Sequence, residues 1–236
     1  MNYIELTNAL LRRFNEVELS AGNFAGATGF HAHAKDCINN AIRDVIHAEL
    51  EWPFLFTSGS ATLVSGTGIY ALPVSAVRVN FNSFYRVSAS AVQAGHLNPM
   101  DYDLWQQYYR ERDDRYSVSA SALSVPEFVF KTPNFLFGVT PIPSEPFVIK
   151  YNYFASPDDL SAATDTTSIP TRYHYALVDG GAYHVYMFRE NMEQAQMMEA
   201  RFTKWIKRMR VDLINRYTAI RDDRVQRTTY TTVKAL

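Results

Sequence analysis

The apolar residues at the two ends of the chain recur every three or four positions, which is the period of an amphipathic helix. At the N-terminal end, this pattern predicts helices over about residues 3–19 and 33–52. The apolar stripe of the first helix consists of Leu6, Leu10, Phe14 and Val17. Asn2 and Glu5 have the spacing of a capping box at its start, and Pro53 ends the second helix. Each helix therefore has one face that must be covered.

The C-terminal end repeats the pattern in two further helices, predicted over about residues 173–189 and 195–217. Pro170 favours a helix start, because proline tolerates the first helical turn. The two apolar stripes consist of Tyr173, Leu177, His184, Met187 and Phe188 in the first of these helices and of Ala195, Met198, Phe202, Trp205, Ile206, Met209 and Leu213 in the second. We expect the helices from both chain ends to cover one another in a single bundle.

Between the helices, residues 54–154 change to short strands separated by turns and prolines. The alternation at 77–81 and at 147–153 predicts half-buried strands, and 128–137 predicts a hairpin. A short polar helix is predicted over about residues 100–112. The sequence therefore predicts an α+β fold, in which N- and C-terminal helices form a bundle with an inserted antiparallel β domain.

The predicted domain boundaries follow these changes of period. The helical bundle takes residues 1–53 and 168–220, and the inserted β domain takes residues 54–167 with its short helix. Residues 221–236 form an extended C-terminal arm, which contains β-forming residues but no helical stripe. We expect this arm to be disordered in the free monomer and to become ordered against a partner.

Composition is that of an ordinary globular protein, with 236 residues of which 47% are hydrophobic. The 15 Tyr and 15 Phe suit a core and also protein interfaces. The single cysteine, Cys37, excludes an internal disulfide framework and fits assembly in a reducing cytoplasm. No apolar run approaches the roughly 18 residues of a membrane span, and the first residues lack the pattern of a signal peptide. No membrane association is therefore expected.

The net charge of −1 hides an asymmetry along the chain. Residues 201–236 contain ten basic and three acidic residues, a net charge of +7, so the rest of the chain carries −8. Such separation favours a polyanion or an acidic partner near the C-terminus. The alternative is a solvated helix face followed by a charged tail, and the sequence leaves both open.

No arrangement of residues predicts catalysis, a cofactor or a metal site. The adjacent carboxylates Asp113–Asp114, Asp158–Asp159 and Asp222–Asp223 are expected to be solvated, since neighbours in sequence point apart. His31 and His33 lack an obvious third ligand, and Cys37 lies in an apolar stripe, where an inert buried thiol is expected. The glycine-rich residues 20–30 follow a helix and lack the ending of a phosphate-binding loop.

Several short motifs, taken in order, resemble the head-to-tail adaptor proteins of tailed bacteriophages, including podovirus tail tubular and gateway proteins. They are Tyr70-Ala71-Leu72-Pro73, Phe137-x-x-x-Pro141-x-Pro143, Tyr151-x-Tyr153 and Ile169-Pro170-x-x-Tyr173, followed by the long amphipathic final helix. Each motif is short and degenerate, so the resemblance depends on their order and spacing. It extends from the first helix to about Tyr217.

The resemblance implies a ring, commonly of twelve copies, docked beneath the portal protein in the neck of the virion. Helical bundles would pack side by side around a channel for the genomic DNA, and nozzle or other tail proteins would attach on the opposite side. The C-terminal tails would reach the portal. The residues that this assigns to portal or partner binding are Arg221, Arg224, Arg227, Tyr230, Val233 and Leu236.

Three hypotheses follow, and they predict different behaviour. A structural adaptor predicts oligomers or portal-dependent assembly. A DNA-binding module predicts salt-sensitive affinity for duplex DNA through the basic residues between Arg201 and Arg227. An enzyme predicts a pocket in which carboxylates or histidines converge from distant segments. The resemblance favours the first.

Overall fold

A computed structural model describes residues 1–88, 94–116 and 123–214 of the chain. These residues divide into two compact units. The first, here called the helical unit, contains Met1–Phe54 and the chain from Asp158 onward. The second, the β unit, contains Leu55–Pro157. Residues 158–167 thus belong with the helices: the backbone nitrogens of Tyr3 and Ile4 donate to the carbonyls of Asp165 and Ala163.

Helices from both ends of the chain form the helical unit. Its helices are α1 (Tyr3–Arg13), the short α2 (Ala21–Phe24), α3 (Phe30–Ala48), α6 (His174–Phe188) and α7 (Met192–Leu213). The predicted capping box is confirmed, because the Asn2 side chain accepts from the Glu5 backbone nitrogen and the Glu5 side chain accepts from that of Asn2. A 3-10 turn, Thr171–Tyr173, leads into α6.

Helix α6 is the centre of the helical unit. It packs against α1, α3 and α7, while α1 and α3 also pack against each other. This close approach requires glycine, because a Cβ at Gly180 would lie only 2.9 Å from side-chain atoms of Ala41 of α3 and of Phe202 of α7. A Cβ at Gly181 would lie 3.0 Å from Ile38. The two glycines therefore let α6 pack closely against helices on different sides, at a cost in helix propensity of about 1 kcal/mol each.

Two predicted helical stripes are wrong in part. Helix α1 ends at Arg13, before Phe14 and Asn15, whose φ is 56°, so Val17 leaves the helix and its residue is 78% exposed. In α6 the buried residues surround the helix instead of forming one stripe, and Met187 and Phe188 at its end are exposed. The reason is that α6 has neighbours on several sides, whereas a one-sided stripe suits a helix at the surface.

The described residues of the β unit form two four-stranded sheets. One has the order β1–β8–β3–β4 and the other β2–β7–β6–β5. The strands are β1 (Phe56–Leu63), β2 (Ile69–Ala71), β3 (Ala76–Ser88), β4 (Ala94–His96), β5 (Asn98–Met100), β6 (Phe128–Lys131), β7 (Leu136–Thr140) and β8 (Phe147–Ala155). Among these described strands, all pairs are antiparallel except β5–β6, and the predicted β6–β7 hairpin is confirmed.

Aromatic rings from the two sheets meet in the core of the β unit. Phe84 of β3 stacks on Tyr151 of β8 with ring centroids 4.8 Å apart, and it contacts Phe137 of β7 edge-on at 5.3 Å. Phe147, Ile149 and Tyr151 of β8 are all buried in this core, as their alternation predicts. The two sheets therefore cover each other's apolar faces.

The predicted short helix consists of two pieces, α4 (Tyr102–Tyr108) and α5 (Arg110–Tyr116). Trp105 of α4 stacks on Phe130 of β6 at 4.5 Å, and its Nε1 donates to Asp113 Oδ2 at 2.8 Å. Thr140 Oγ1 donates to the other oxygen of Asp113 at 3.2 Å. The prediction that Asp113 is solvated is wrong: the residue is only 5% exposed, because its carboxylate joins α4 and α5 to β7.

The predicted fold class is confirmed as α+β, with helices from both chain ends in one unit and a β region inserted between them. Among the described residues, no helix has both the length and the apolar character needed to cross a bilayer.

Candidate interaction surface

Helix α7 is amphipathic in the way its sequence predicts. Ala195, Phe202 and Met209 are buried, seven residues apart each time, and so lie on one face toward α6. The other predicted stripe residues, Met198, Trp205, Ile206 and Leu213, are half-buried. Its basic residues Arg201, Lys204, Lys207, Arg208 and Arg210 are all exposed. The helix therefore has a packed inner face and a cationic outer one.

A buried carboxylate fixes α7 against the rest of the helical unit. The side chain of Asp179, in the middle of α6, is 2% exposed. Its Oδ2 accepts from Trp205 Nε1 at 2.9 Å, and Arg201 Nη2 lies 3.6 Å from the same atom. Its Oδ1 forms an ion pair with Arg13 of α1 at 2.5 Å. Asp179 thus joins α1, α6 and α7, and it holds the indole of Trp205 in one orientation.

The basic residues of α7 differ in how far their charges are matched. Arg208 lies 3.9 Å from Asp212, and Arg210 lies 3.6 Å from Glu49 near the end of α3. Within the described residues, Lys204 and Lys207 form no ion pair. We call the exposed surface formed by Arg201, Lys204, Lys207 and Arg208 the basic face. Its two lysines carry the charge that is least compensated within the unit.

Two shallow depressions shape the basic face. One, of about 290 Å³, is lined by Arg201, Lys204, Trp205 and Arg208. The other, of about 440 Å³, lies along the next side of the helix and shares Lys204 with the first. Both are open to solvent. The second is lined mostly by polar side chains, among them Lys204, Lys207 and Glu199, whereas in the first, three cationic side chains surround the ring of Trp205. This lining suits an anionic surface better than a small reactive molecule.

A second charged surface of the helical unit is acidic and is carried by α3 and by residues 158–167, which precede α6 and are here called the connector. We call the carboxylates that these two segments carry, Asp36 of α3 and Asp158, Asp159 and Asp165 of the connector, the acidic surface. The Asn39 side chain holds the connector on α3, because its Nδ2 donates to the Leu160 carbonyl at 3.0 Å and its Oδ1 accepts from the Leu160 nitrogen at 3.2 Å.

The carboxylates of the acidic surface act together on a nearby phenol. Burial raises the pKa of Tyr3, and the negative charges of Asp36, Asp159 and Asp165 raise that pKa further. Arg43 forms a two-pronged ion pair with Asp159, which compensates part of the charge. Asp36 and Asp158 are exposed and, in the described part of the chain, form no ion pair.

The β unit exposes apolar side chains around a cleft. This cleft, of about 910 Å³, is lined mainly by apolar and aromatic side chains, among them Phe81, Leu104, Tyr108, Tyr109 and Phe128. Leu104 and Tyr108 are 46% and 66% exposed, which is a large apolar area for a surface in water. Exposed apolar surface of this kind is typical of protein–protein contact sites.

The histidines and the cysteine are used structurally. His31 Nε2 lies 2.9 Å from the Val17 carbonyl, and His184 Nε2 lies 2.8 Å from Asp44. Cys37 is fully buried, and burial raises the pKa of its thiol to about 12, so the thiol is protonated and unreactive near neutral pH. Across the described residues, no three ligand-type side chains converge as a metal would need.

The residues predicted to bind the portal lie outside the described residues. They are Arg221, Arg224, Arg227, Tyr230, Val233 and Leu236. Asp179 was not among the residues predicted from the sequence to be functional. A signal for it was present, however, because a lone acid beside two glycines in an otherwise apolar helix must be buried with partners.

An amphipathic helix with a cationic outer face, together with an exposed apolar cleft, is typical of a protein that acts by binding other macromolecules. The chain belongs to the SU10 adaptor protein family, whose model matches residues 1–231. This membership gives it a structural role as a bacteriophage adaptor and a place in the neck of the virion. No curated protein matches the chain.

Proposed function

We propose that the protein is a subunit of a ring of about twelve copies, which lies beneath the portal, attaches the tail and surrounds a channel for the genomic DNA. The observation that carries this proposal is the match of the SU10 adaptor protein family to residues 1–231, nearly the whole chain. A match of this extent includes both units, so the proposal concerns the entire protein.

The surfaces of the two units support assembly as the function. A ring closes through head-to-tail contacts only if each subunit has two different, complementary patches. The helical unit has a basic face on α7 and a separate acidic surface on α3 and the connector. The β unit adds an apolar cleft, which suits a protein partner such as a nozzle protein or another tail protein.

The proposed contact with the portal is made by the C-terminal arm, residues 221–236. Arg221, Arg224 and Arg227 would pair with acidic groups of the portal, while Tyr230, Val233 and Leu236 would fill apolar pockets. The sequence of the arm supports this assignment. Basic residues come first, β-forming and apolar residues follow, and no helical stripe is present. An arm of this composition gains its order from the partner.

The test measures assembly directly. The purified chain is examined by mass photometry and electron microscopy, alone and with the portal protein of the same phage. The proposal predicts ring-shaped oligomers, or rings that form on the portal. A chain that stays monomeric under both conditions contradicts it.

A DNA-binding module is the second candidate, and the observation that favours it is the pair of unmatched lysines on α7, Lys204 and Lys207. Phosphate contacts make binding to duplex DNA strongly salt-dependent. This candidate therefore predicts that the monomer binds duplex DNA and that the affinity falls steeply between 50 and 200 mM salt, on the order of tenfold per two or three phosphate contacts. Fluorescence anisotropy with a labelled duplex measures it.

A further inference from the structure

We propose that the basic face of α7 in one copy of the protein docks against the acidic surface of a second copy. The contact is formed by Lys204 and Lys207 on one side and by Asp36 and Asp158 on the other. The inference rests on the proposed ring, and it names the surfaces through which neighbouring helical units meet.

The basic face and the acidic surface lie on different helices of the helical unit. Helix α6 packs against α7 and also against the α1–α3 pair. The basic face lies on the side of α7 that points away from α6, and Asp36 lies on the exposed side of α3. The surfaces therefore belong to different sides of one bundle, as a head-to-tail contact requires.

Both surfaces carry charged side chains that have no ion-pair partner among the described residues of their own unit. Arg208 and Arg210 of α7 have carboxylate partners inside their own unit, and Arg201 lies beside Asp179. Lys204 and Lys207 have no such partner among the described residues, and the same holds for Asp36 and Asp158. Docking two copies would match these charges without disturbing any ion pair already formed within the unit. Complementary charge also sets the register of an interface and disfavours wrong pairings.

Side-chain hydrogen bonds hold both surfaces in place. The indole of Trp205 is fixed by its hydrogen bond to Asp179, so the depression between Arg201, Lys204 and Arg208 has a defined floor. On the acidic side, Asn39 and Arg43 hold the connector on α3. Preformed surfaces lose less conformational entropy on association.

A second copy fits the basic face better than duplex DNA does. Holding a duplex requires several free cations along its phosphates, because affinity grows with the number of phosphates neutralised. On α7, carboxylates stand among the cations: Glu199 lies beside the second depression, and Asp212 lies beside Arg208. A surface with two unmatched lysines suits a contact with two unmatched carboxylates.

The experiment reverses the charges of each surface separately and then of both together. Lys204→Glu/Lys207→Glu should place like charges at the contact and weaken association of the subunits roughly tenfold or more, and Asp36→Lys/Asp158→Lys should do the same. The chain with all four substitutions restores opposite charges at the contact and should assemble like the unmodified protein. Mass photometry at low and high salt, with the portal present, measures each chain.

Mixing provides a second readout. In a head-to-tail contact, the chain with four substitutions meets the unmodified chain with like charges on both sides, so each should form rings only with its own kind. Native mass spectrometry of isotope-labelled mixtures measures this sorting. As a matched control, Arg115→Glu/Lys150→Glu makes the same change of net charge in the β unit at two exposed residues that do not line its cleft, and it should leave assembly and mixing unchanged. Circular dichroism verifies that every chain is folded.

The outcomes separate this inference from the proposed ring. If rings form and both two-site reversals leave them intact, the inference is wrong and the ring stands. If Lys204→Glu/Lys207→Glu abolishes binding to duplex DNA while assembly is unchanged, the basic face serves DNA and the inference is again overturned. If the unmodified chain stays monomeric even with the portal, both the ring and the contact within it fall.

Discussion

At the residue scale, Asp179 shows how a polar side chain organises the helical unit. A carboxylate taken out of water loses its hydration, and the loss is tolerable only if partners replace it. Here the partners come from two other helices, Arg13 of α1 and both Trp205 and Arg201 of α7. The carboxylate thereby specifies which sides of three helices face one another.

Removing the charge of Asp179 should destabilise the helical unit. Asp179→Asn preserves the shape of the side chain and an acceptor for Trp205, but it leaves Arg13 and Arg201 without a counter-charge. Because the Arg13 side chain is 30% exposed and can reach water, we expect a loss of about 1–3 kcal/mol, less than the roughly 3–5 kcal/mol for breaking a fully buried pair. Urea unfolding followed by tryptophan fluorescence measures the change.

A surface ion pair provides the control for this change. Arg12 and Glu18 lie 3.0 Å apart but are 58% and 50% exposed, so Glu18→Gln should cost less than about 1 kcal/mol. Equal losses in the two variants would show that burial of Asp179 contributes nothing.

His174 makes the stability of the helical unit depend on pH. The residue is 4% exposed, and desolvation holds the pKa of its imidazole below the ordinary value of 6.5. A neutral ring donates from Nε2 to the Ile169 carbonyl at 3.0 Å. Below pH 6.5 the unfolded chain takes up a proton that the folded protein does not bind. The contribution of His174 to stability is therefore complete above pH 6.5 and is lost as the pH falls toward the lowered pKa.

Substitution of His174 should flatten this part of the pH profile. Gln cannot titrate but can still donate to the Ile169 carbonyl, so His174→Gln should lose less stability than the unmodified protein between pH 7.5 and pH 5.5. The control is His47→Gln, because His47 is exposed at the end of α3. Urea unfolding at each pH measures the profiles, and identical slopes for all three proteins would exclude this role of His174.

At the scale of elements, a stack of three residues joins α4 to the second sheet of the β unit. A Cβ at Gly138 of β7 would lie 2.1 Å from the ring of Phe130, so the ring occupies the space that a side chain would need. Trp105 stacks on the same ring, with the two ring centroids 4.5 Å apart. Phe130 is 1% exposed and has nowhere to move. Glycine is required at 138 for this packing.

Gly138→Ala should destabilise the β unit by about 1–3 kcal/mol through overpacking. Removing ring volume should relieve the clash, so Gly138→Ala combined with Phe130→Leu should cost less than the sum of the two single changes. Gly95→Ala on β4 is the control, since among the described residues its Cβ would approach only the guanidinium of Arg86, at 3.7 Å from Nη2. Urea unfolding followed by circular dichroism measures the losses, and additive losses in the double variant would contradict the proposed clash.

At this scale, the sequence predicted correctly those elements whose pattern depends only on residues close together in the chain. The capping box at Asn2 and the stripe of α7 are local features, and both are confirmed. Helix α6 is different, because its neighbours on several sides are brought together only by the fold. Its burial all round, the exposure of Phe188 and the burial of Asp113 depend on contacts between segments far apart in sequence. Periodicity within one window does not contain that information.

At the scale of the whole molecule, the separation of charge along the chain becomes a separation between surfaces. The basic excess after residue 200 was visible in the sequence, and α7 carries part of it on its exposed side. The sequence did not indicate which carboxylates would stand together, since Asp36 and Asp159 meet only through the packing of the connector on α3. The charge of the candidate surface was thus predictable from the sequence, whereas the positions of its carboxylates are determined by the fold.

Deleting residues 222–236 tests the role of the C-terminal arm. The described helices and sheets end by residue 214, and in this part of the chain the core residues are buried by the packing of these elements on one another. The truncated chain should therefore remain folded, with circular dichroism and unfolding midpoint close to those of the full chain. It should nevertheless fail to bind the portal, because the deleted segment contains Arg224, Arg227, Tyr230, Val233 and Leu236. Co-sedimentation with portal particles measures binding.

The control is Arg12→Ala, which removes a basic side chain from the exposed surface of α1 and should leave binding intact. A truncated chain that still docks on the portal with unchanged affinity would show that the contact is made elsewhere in the protein.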